Sequence, residues 1–160
     1  MTEIATALDG LPTMPWKYKL AYLTHKFLQM EQAGCPVKHM FDGASYIREM
    51  TIPQGTLFIG RIHNNGHVVQ LVEGDVVNMT EDGQQEISAP FEFHSAPGYQ
   101  AVFYALTDVV GRTVHPNPLG LRDVQVLEDR DFEEVKYLAA RGAMVAEQIE
   151  RERISEGVQS

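Results

Sequence analysis

The stretch 57-LFIGRIHNNGHVVQLVEGD-75 decides the architecture. Two runs rich in Leu, Ile, Phe and Val flank Asn64-Asn65-Gly66, and Glu73-Gly74-Asp75 closes the second run. Asn and Gly accept turn conformations and make a poor helix interior, so the segment reads as strand, turn and strand. The same pattern continues outward. Pro53-Gln54-Gly55 precedes it, and Glu81-Asp82-Gly83, Ala89-Pro90 and Ala96-Pro97-Gly98 follow, with strand-like runs at 76–79 and 102–106 between them. From about residue 44 to residue 115 no segment is both long and free of breakers, which disfavours alternating strands and helices. A mainly β antiparallel sandwich or small barrel is the expected class.

Helices are expected on both sides. Trp16, Leu20, Leu23, Phe27 and Met30 recur at spacings of three and four, which predicts an amphipathic helix from about Pro15 to Ala33, stopped by Gly34 and Pro36. After a Pro/Gly loop at 116–120 and a mixed stretch to Arg130, Asp131 and Glu134 resemble a capping box. Phe132, Val135, Leu138, Val145 and Ile149 follow as an apolar stripe. The expected division is an N-terminal helical extension at 1–43, a barrel at 44–118, and a loop with a C-terminal helix at 119–160. Those helices would pack on the barrel or on a second subunit. The acidic groups at 128–131 and 133–134 read as solvated charge.

The chain has 160 residues, with 13 Lys and Arg against 22 Asp and Glu, for a formal net charge of -9. That sign repels phosphate backbones and anionic membrane surfaces, so no nucleic-acid partner is expected. No apolar stretch approaches the roughly 20 residues that span a bilayer, and no basic signal start is visible. A cytoplasmic protein without a membrane partner is therefore expected. The single cysteine, Cys35, excludes an intramolecular disulfide and a Cys-rich zinc cluster.

Six histidines carry the chemical information. On one straight strand His63 and His67 would stand roughly 13 Å apart, too far to share an ion. With a tight turn between them they face each other across a strand pair at about 5 Å. Alternation then groups Leu57, Ile59, Arg61 and His63 on one side, as it groups His67, Val69 and Leu71, and also Val109, Gly111, Thr113 and His115. Three converging neutral imidazoles would suit Fe, Zn, Ni, Cu or Mn. Spacing alone does not bring His115 to the pair, and a histidine pair around a turn is more often solvated or hydrogen-bonded than ligating. His25 and His39 read as structural, and His94 as facing solvent or a subunit contact.

The segment 37–115 resembles the small single-domain cupins of tailed-bacteriophage genomes, of the RmlC-like superfamily. The resemblance is carried by Lys38-His39-Met40-Phe41, Tyr46-Ile47-Arg48-Glu49-Met50, Ile52-Pro53-Gln54-Gly55-Thr56, Gly60-Arg61-Ile62-His63, His67, Gly74-Asp75, Thr80-Glu81-Asp82-Gly83, Tyr104-Ala105 and Val114-His115. It implies a cupin-type double-stranded β-helix with a helix at each end. It also implies a metal held near the barrel mouth by His63, His67 and His115, with Fe, Zn, Ni or Mn as the candidate ions. Against the general cupin motif, Arg61 stands in the place of the first histidine, His67 in the place of the glutamate, and Ala101 where a later histidine is usual. Gly111 stands where the phage relatives carry tryptophan. These changes remove bulk and charge, which fits a wider pocket, a different ligand or a degenerated site.

Arg61 cannot coordinate a cation, but it can hold an anionic ligand bidentately. Arg61, Gln70 and Tyr104 are the expected ligand-binding residues. Two functions follow as expectations: a metal- or small-ligand-binding cupin with a possible metal-dependent reaction, or a non-enzymatic phage-associated binding module. The latter would sequester a small molecule, contact a host protein or assist assembly. A homodimer is the expected assembly under both, in the host cytoplasm if the protein is phage-encoded.

Overall fold

A computed structural model describes residues 10–159, which divide into two units. One is residues 33–133, and the other joins the described part of 1–32 to 134–159. The first unit holds nine strands: β1 (Val37–Asp42), β2 (Ser45–Ile52), β3 (Leu57–Ile59), β4 (His67–Glu73), β5 (Asp75–Thr80), β6 (Gly83–Ser88), β7 (Phe91–Ser95), β8 (Val102–Ala105) and β9 (Val109–Pro116). A five-stranded sheet has the order β1-β2-β9-β4-β7, and a four-stranded sheet has the order β3-β8-β5-β6. Strand pairs nest within one another: β5 with β6, β4 with β7, β3 with β8 and β2 with β9, all antiparallel. One long hairpin wound on itself produces this nesting. The result is a jelly roll, the double-stranded β-helix of the cupin type.

The barrel is larger than residues 44–118. At its N-terminal end β1 pairs along the whole of β2, from Val37 opposite Met50 to Asp42 opposite Ser45. At its C-terminal end helix α2 (Val124–Asp131) and the two residues after it belong to the same unit. Asp123 caps that helix, accepting from the N–H groups of Gln125 and Val126 at 3.0 and 3.3 Å. The helix ends where Phe132 turns extended and bridges His63.

Alternation sorts the inner face. On β2 and β9 the inward rungs are Tyr46 with His115, Arg48 with Thr113, Met50 with Gly111 and Ile52 with Val109. At one end Ile52, Val76, Ala105 and Val109 are buried, with Phe58, Leu71, Ile87 and Phe103 packed against them. Above them the sheets enclose a cavity. Gly74, between β4 and β5, has φ +96°, and a Cβ there would strike the Asp108 carbonyl, so the turn requires glycine.

The other unit pairs helix α1 (Trp16–Leu28) with helix α3 (Val135–Gln159). The first ends at Leu28 and not near Ala33: Gln29 and Met30 close its last turn with N–H bonds to Lys26 and Phe27. Its buried residues run continuously from Leu20 to Thr24, a wider contact than the expected stripe. Tyr22 packs with Val145 and Ile149. The helices touch at Gly142, where a Cβ would overlap the Ala21 carbonyl oxygen. Gly142→Val is therefore expected to lower stability by about 1–3 kcal/mol in spite of its better helix propensity than glycine. Helical circular dichroism followed through urea would read the loss.

Candidate functional site

Each of the three expected histidines reaches the same place by a different route. His115 arrives on the inner face of β9, and His67 begins β4. His63 sits outside the named strands, held by its N–H to the Tyr99 carbonyl at 3.0 Å and its carbonyl to Gly98 N–H at 2.7 Å. The turn between His63 and His67 is not a hairpin, because β3 and β4 lie in different sheets. Regular alternation also stops early. Phe58, not Leu57, lines the cavity, stacked on its ladder neighbour Phe103, and the chain leaves β geometry at Gly60 before His63 turns inward. The two imidazoles meet because the loop crosses from one sheet to the other.

The rings stack nearly parallel. Centroids are 3.8 Å apart for His63 and His67, 5.3 Å for His63 and His115, and 5.1 Å for His67 and His115. All three residues are buried, and one ligand atom of each lies within 4.8 Å of the others. His67 Nδ1 is 2.9 Å from Ser95 Oγ, and His115 Nε2 is 2.9 Å from Thr113 Oγ1. His63 Nδ1 is buried without a hydrogen-bond partner.

Burial lowers the pKa of all three. His63 is pushed down to about 2 by burial and then by the neighbouring imidazoles and Arg48 and Arg61. His115 falls to about 4 through burial, opposed by Asp131, and His67 is lowered mainly by burial. The site is thus neutral at pH 7, the protonation state that metal ligation requires. The unfolded chain takes up protons below about pH 6.5 while the folded site does not. Chelator-treated protein should therefore lose stability as pH falls from 6.5 toward 4. Denaturation midpoints between pH 4 and 8 would show this slope, and His115→Asn should flatten it.

The donor set suits a transition metal. Nitrogens sharing one tetrahedral ion with bonds of about 2.1 Å would stand about 3.4 Å apart, and the three here lie within 4.8 Å of one another, within reach of side-chain adjustment. The partnerless Nδ1 of His63 is a buried group whose lone pair or proton has no other use. Among the described residues this is the grouping of three such side chains with ligand atoms in reach.

Four contributors lay outside the sequence reading. Asp131 is not a cap but the buried end of α2. Its carboxylate takes Arg130 through bonds of 2.9 and 3.0 Å and lies 3.8 Å from His115 Nδ1, an electrostatic rather than a hydrogen-bonding distance. Phe132, 2% exposed, lies against His63 and His115 at 4.5 and 5.6 Å. Arg48 and Arg61 place their guanidinium carbons 4.5 and 4.7 Å from the Phe132 ring centre. Glu128 is near both, at 3.5 Å from Arg48 and 3.9 Å from Arg61, so the acidic run is not simply solvated.

Backbone bonds pin this segment to the barrel: Asn64 N–H to the Asp131 carbonyl at 2.8 Å and Glu133 N–H to the Ile62 carbonyl at 2.9 Å. The amides of Asn64 and Asn65 both donate to the Arg130 carbonyl. For Arg48 a signal existed, since alternation along β2 puts it in line with Met50 and Ile52. For Asp131 and Phe132 none existed, because their role depends on a fold-back across 66 or more residues.

The cavity measures about 330 Å³ and reaches from His63 to Val109. Arg61, Ala101 and Gly111 line it. Gln70 borders it but spends its amide on Glu92, its partner across the ladder, at 3.1 Å. Tyr104 is not among the lining residues: Phe103 takes the inward position on β8, and Tyr104 pairs with Leu57 on the other side. Of the three expected ligand-binding residues, Arg61 and Gln70 line the cavity and Tyr104 does not. His94 is exposed, His25 contacts Gln29, and His39 bonds the Tyr46 hydroxyl at 2.7 Å.

No family model and no curated protein matches this chain. Solved structures do resemble it. An acetylacetone dioxygenase from Acinetobacter johnsonii is 14% identical, with a TM-score of 0.44, over 53% of this chain and 61% of that one. A cupin domain from Bordetella pertussis is 18% identical (TM-score 0.42) over 54% of this chain and 97% of its own. An RmlC-like cupin with a double-stranded β-helix from Methanocaldococcus jannaschii is 10% identical (TM-score 0.44), over 56% and 86%. The solved neighbours include RmlC-like cupins. The chain spans about three-fifths of the dioxygenase's length. The fold assignment itself rests on the nested strand pairs. No helix among the described residues is long and apolar enough to cross a membrane.

Proposed function

We propose that this protein holds one divalent transition metal, Fe, Zn, Ni or Mn, on His63, His67 and His115, with a small molecule in the adjoining cavity. The convergence of three buried neutral imidazoles, one with a partnerless Nδ1, carries the reading. Such an ion supplies Lewis acidity, able to polarise a carbonyl or activate water. Ser95 and Thr113 orient two of the rings, and Phe132 screens the third from water. Elemental analysis of protein purified without a histidine tag should find about one transition metal per chain. A metal-free preparation whose melting temperature ignores added Fe(II), Zn(II), Ni(II) and Mn(II) would overturn this.

One observation favours a second reading. Two guanidiniums stand over the same phenyl ring beside His63 and disfavour a dication there. Under that reading the barrel is a metal-free binding module, and the phage-type kinship and the homodimer belong to either version. Light scattering on the eluted protein tests the dimer.

A further inference from the structure

We infer that the cavity takes a small monocarboxylate with an apolar body, its head held by Arg48 and Arg61. The inference rests on the ligand-binding half of the function proposed above and not on the metal. Below the arginines the walls are apolar: Met50, Ile52, Val69, Leu71, Phe103 and Val109. Gly111 lies between Met50 on β2 and Leu71 on β4, and its missing side chain opens the space, since a Cβ there meets only the Gln70 carbonyl, at 3.7 Å. A cavity of 330 Å³ is about twice one that holds benzene, which sets the ligand at roughly a dozen non-hydrogen atoms.

The head group follows from charge. Arg48 and Arg61 both line the cavity, and Glu128 is the carboxylate within ion-pair reach of each. Arg112, also at the lining, is already paired with Glu49 at 2.7 Å. Two cations share one anion, leaving one positive charge uncompensated. The two side chains are 14% and 33% exposed, so both guanidiniums present N–H groups at the cavity wall. A planar monoanion with two acceptor oxygens satisfies both the charge and the donors, whereas a neutral head leaves the charge unmatched. A dianion would overshoot it.

Titration calorimetry on the full chain treated with chelator tests this with octanoate and its uncharged counterpart of the same shape, octanamide. Octanoate should bind at least about tenfold more tightly than octanamide, as a charge-assisted hydrogen-bond pair provides. Arg61→Gln and Arg48→Gln should each erase that preference, and Arg61→Lys should restore part of it. Gly111→Leu should block both compounds with an unchanged circular dichroism spectrum.

Equal binding of acid and amide would overturn the carboxylate assignment and leave the cavity as a ligand site. Octanoate binding that appears only after metal loading and ignores Arg61→Gln would overturn it too, placing the anion on the metal and preserving the metal reading. Binding of neither compound, with metal uptake intact, would remove the ligand site together with the proposal.

Discussion

His63→Ala and His115→Ala should each reduce the metal content of the purified protein to background. With three imidazoles in place, an ion at one hundred times its dissociation constant stabilises the folded chain by about 2.7 kcal/mol. For a unit the size of 33–133 that corresponds to a rise in melting temperature on the order of 10 °C. Removing one imidazole leaves two donors and should abolish the rise. His94→Ala is the control, because His94 is exposed on β7 and is not one of the three clustered histidines. Plasma emission analysis and thermal melts with and without Zn(II) measure both effects. A His63→Ala protein that retains one metal per chain would place the ion elsewhere.

Phe132→Ala should cost about 3–5 kcal/mol, the range for truncating a buried aromatic side chain. Its ring is almost fully buried and touches two histidines and two guanidiniums. The substitution removes apolar area and also the surface on which Arg48 and Arg61 lie, so their charges lose their cation–π partner together. Urea denaturation should show a lower midpoint. Leu119→Ala, at a side chain 81% exposed, should change stability by less than about 0.5 kcal/mol. If the two variants unfold alike, Phe132 does not anchor the site.

The barrel was legible because strand breaks are local. Asn64-Asn65-Gly66, Gly74 and Gly83 each mark a turn by their own backbone chemistry, and alternation from His115 back to Val109 gave the inner face of β9 correctly. The histidine group was legible only with help from resemblance, since nothing within a few residues of His115 reports where β9 will pair. Tyr104 shows the cost of assigning a strand residue to a pocket without its phase: a shift of one position exchanges it for Phe103. The acidic stretch at 128–131 was misread for the opposite reason. Its composition is that of a solvated helix, and only tertiary placement turns Asp131 inward.

The segment that carries Glu128, Asp131 and Phe132 lies beyond the last strand, yet among the described residues it supplies the carboxylates within ion-pair reach of Arg48, Arg61 and His115. Grafting only the sheets onto another scaffold, or ending the chain at residue 120, would retain every strand while leaving two bare guanidiniums beside an uncovered trio of imidazoles. The smallest transplantable piece of this protein is thus its nine strands together with the short tail that neutralises and roofs them.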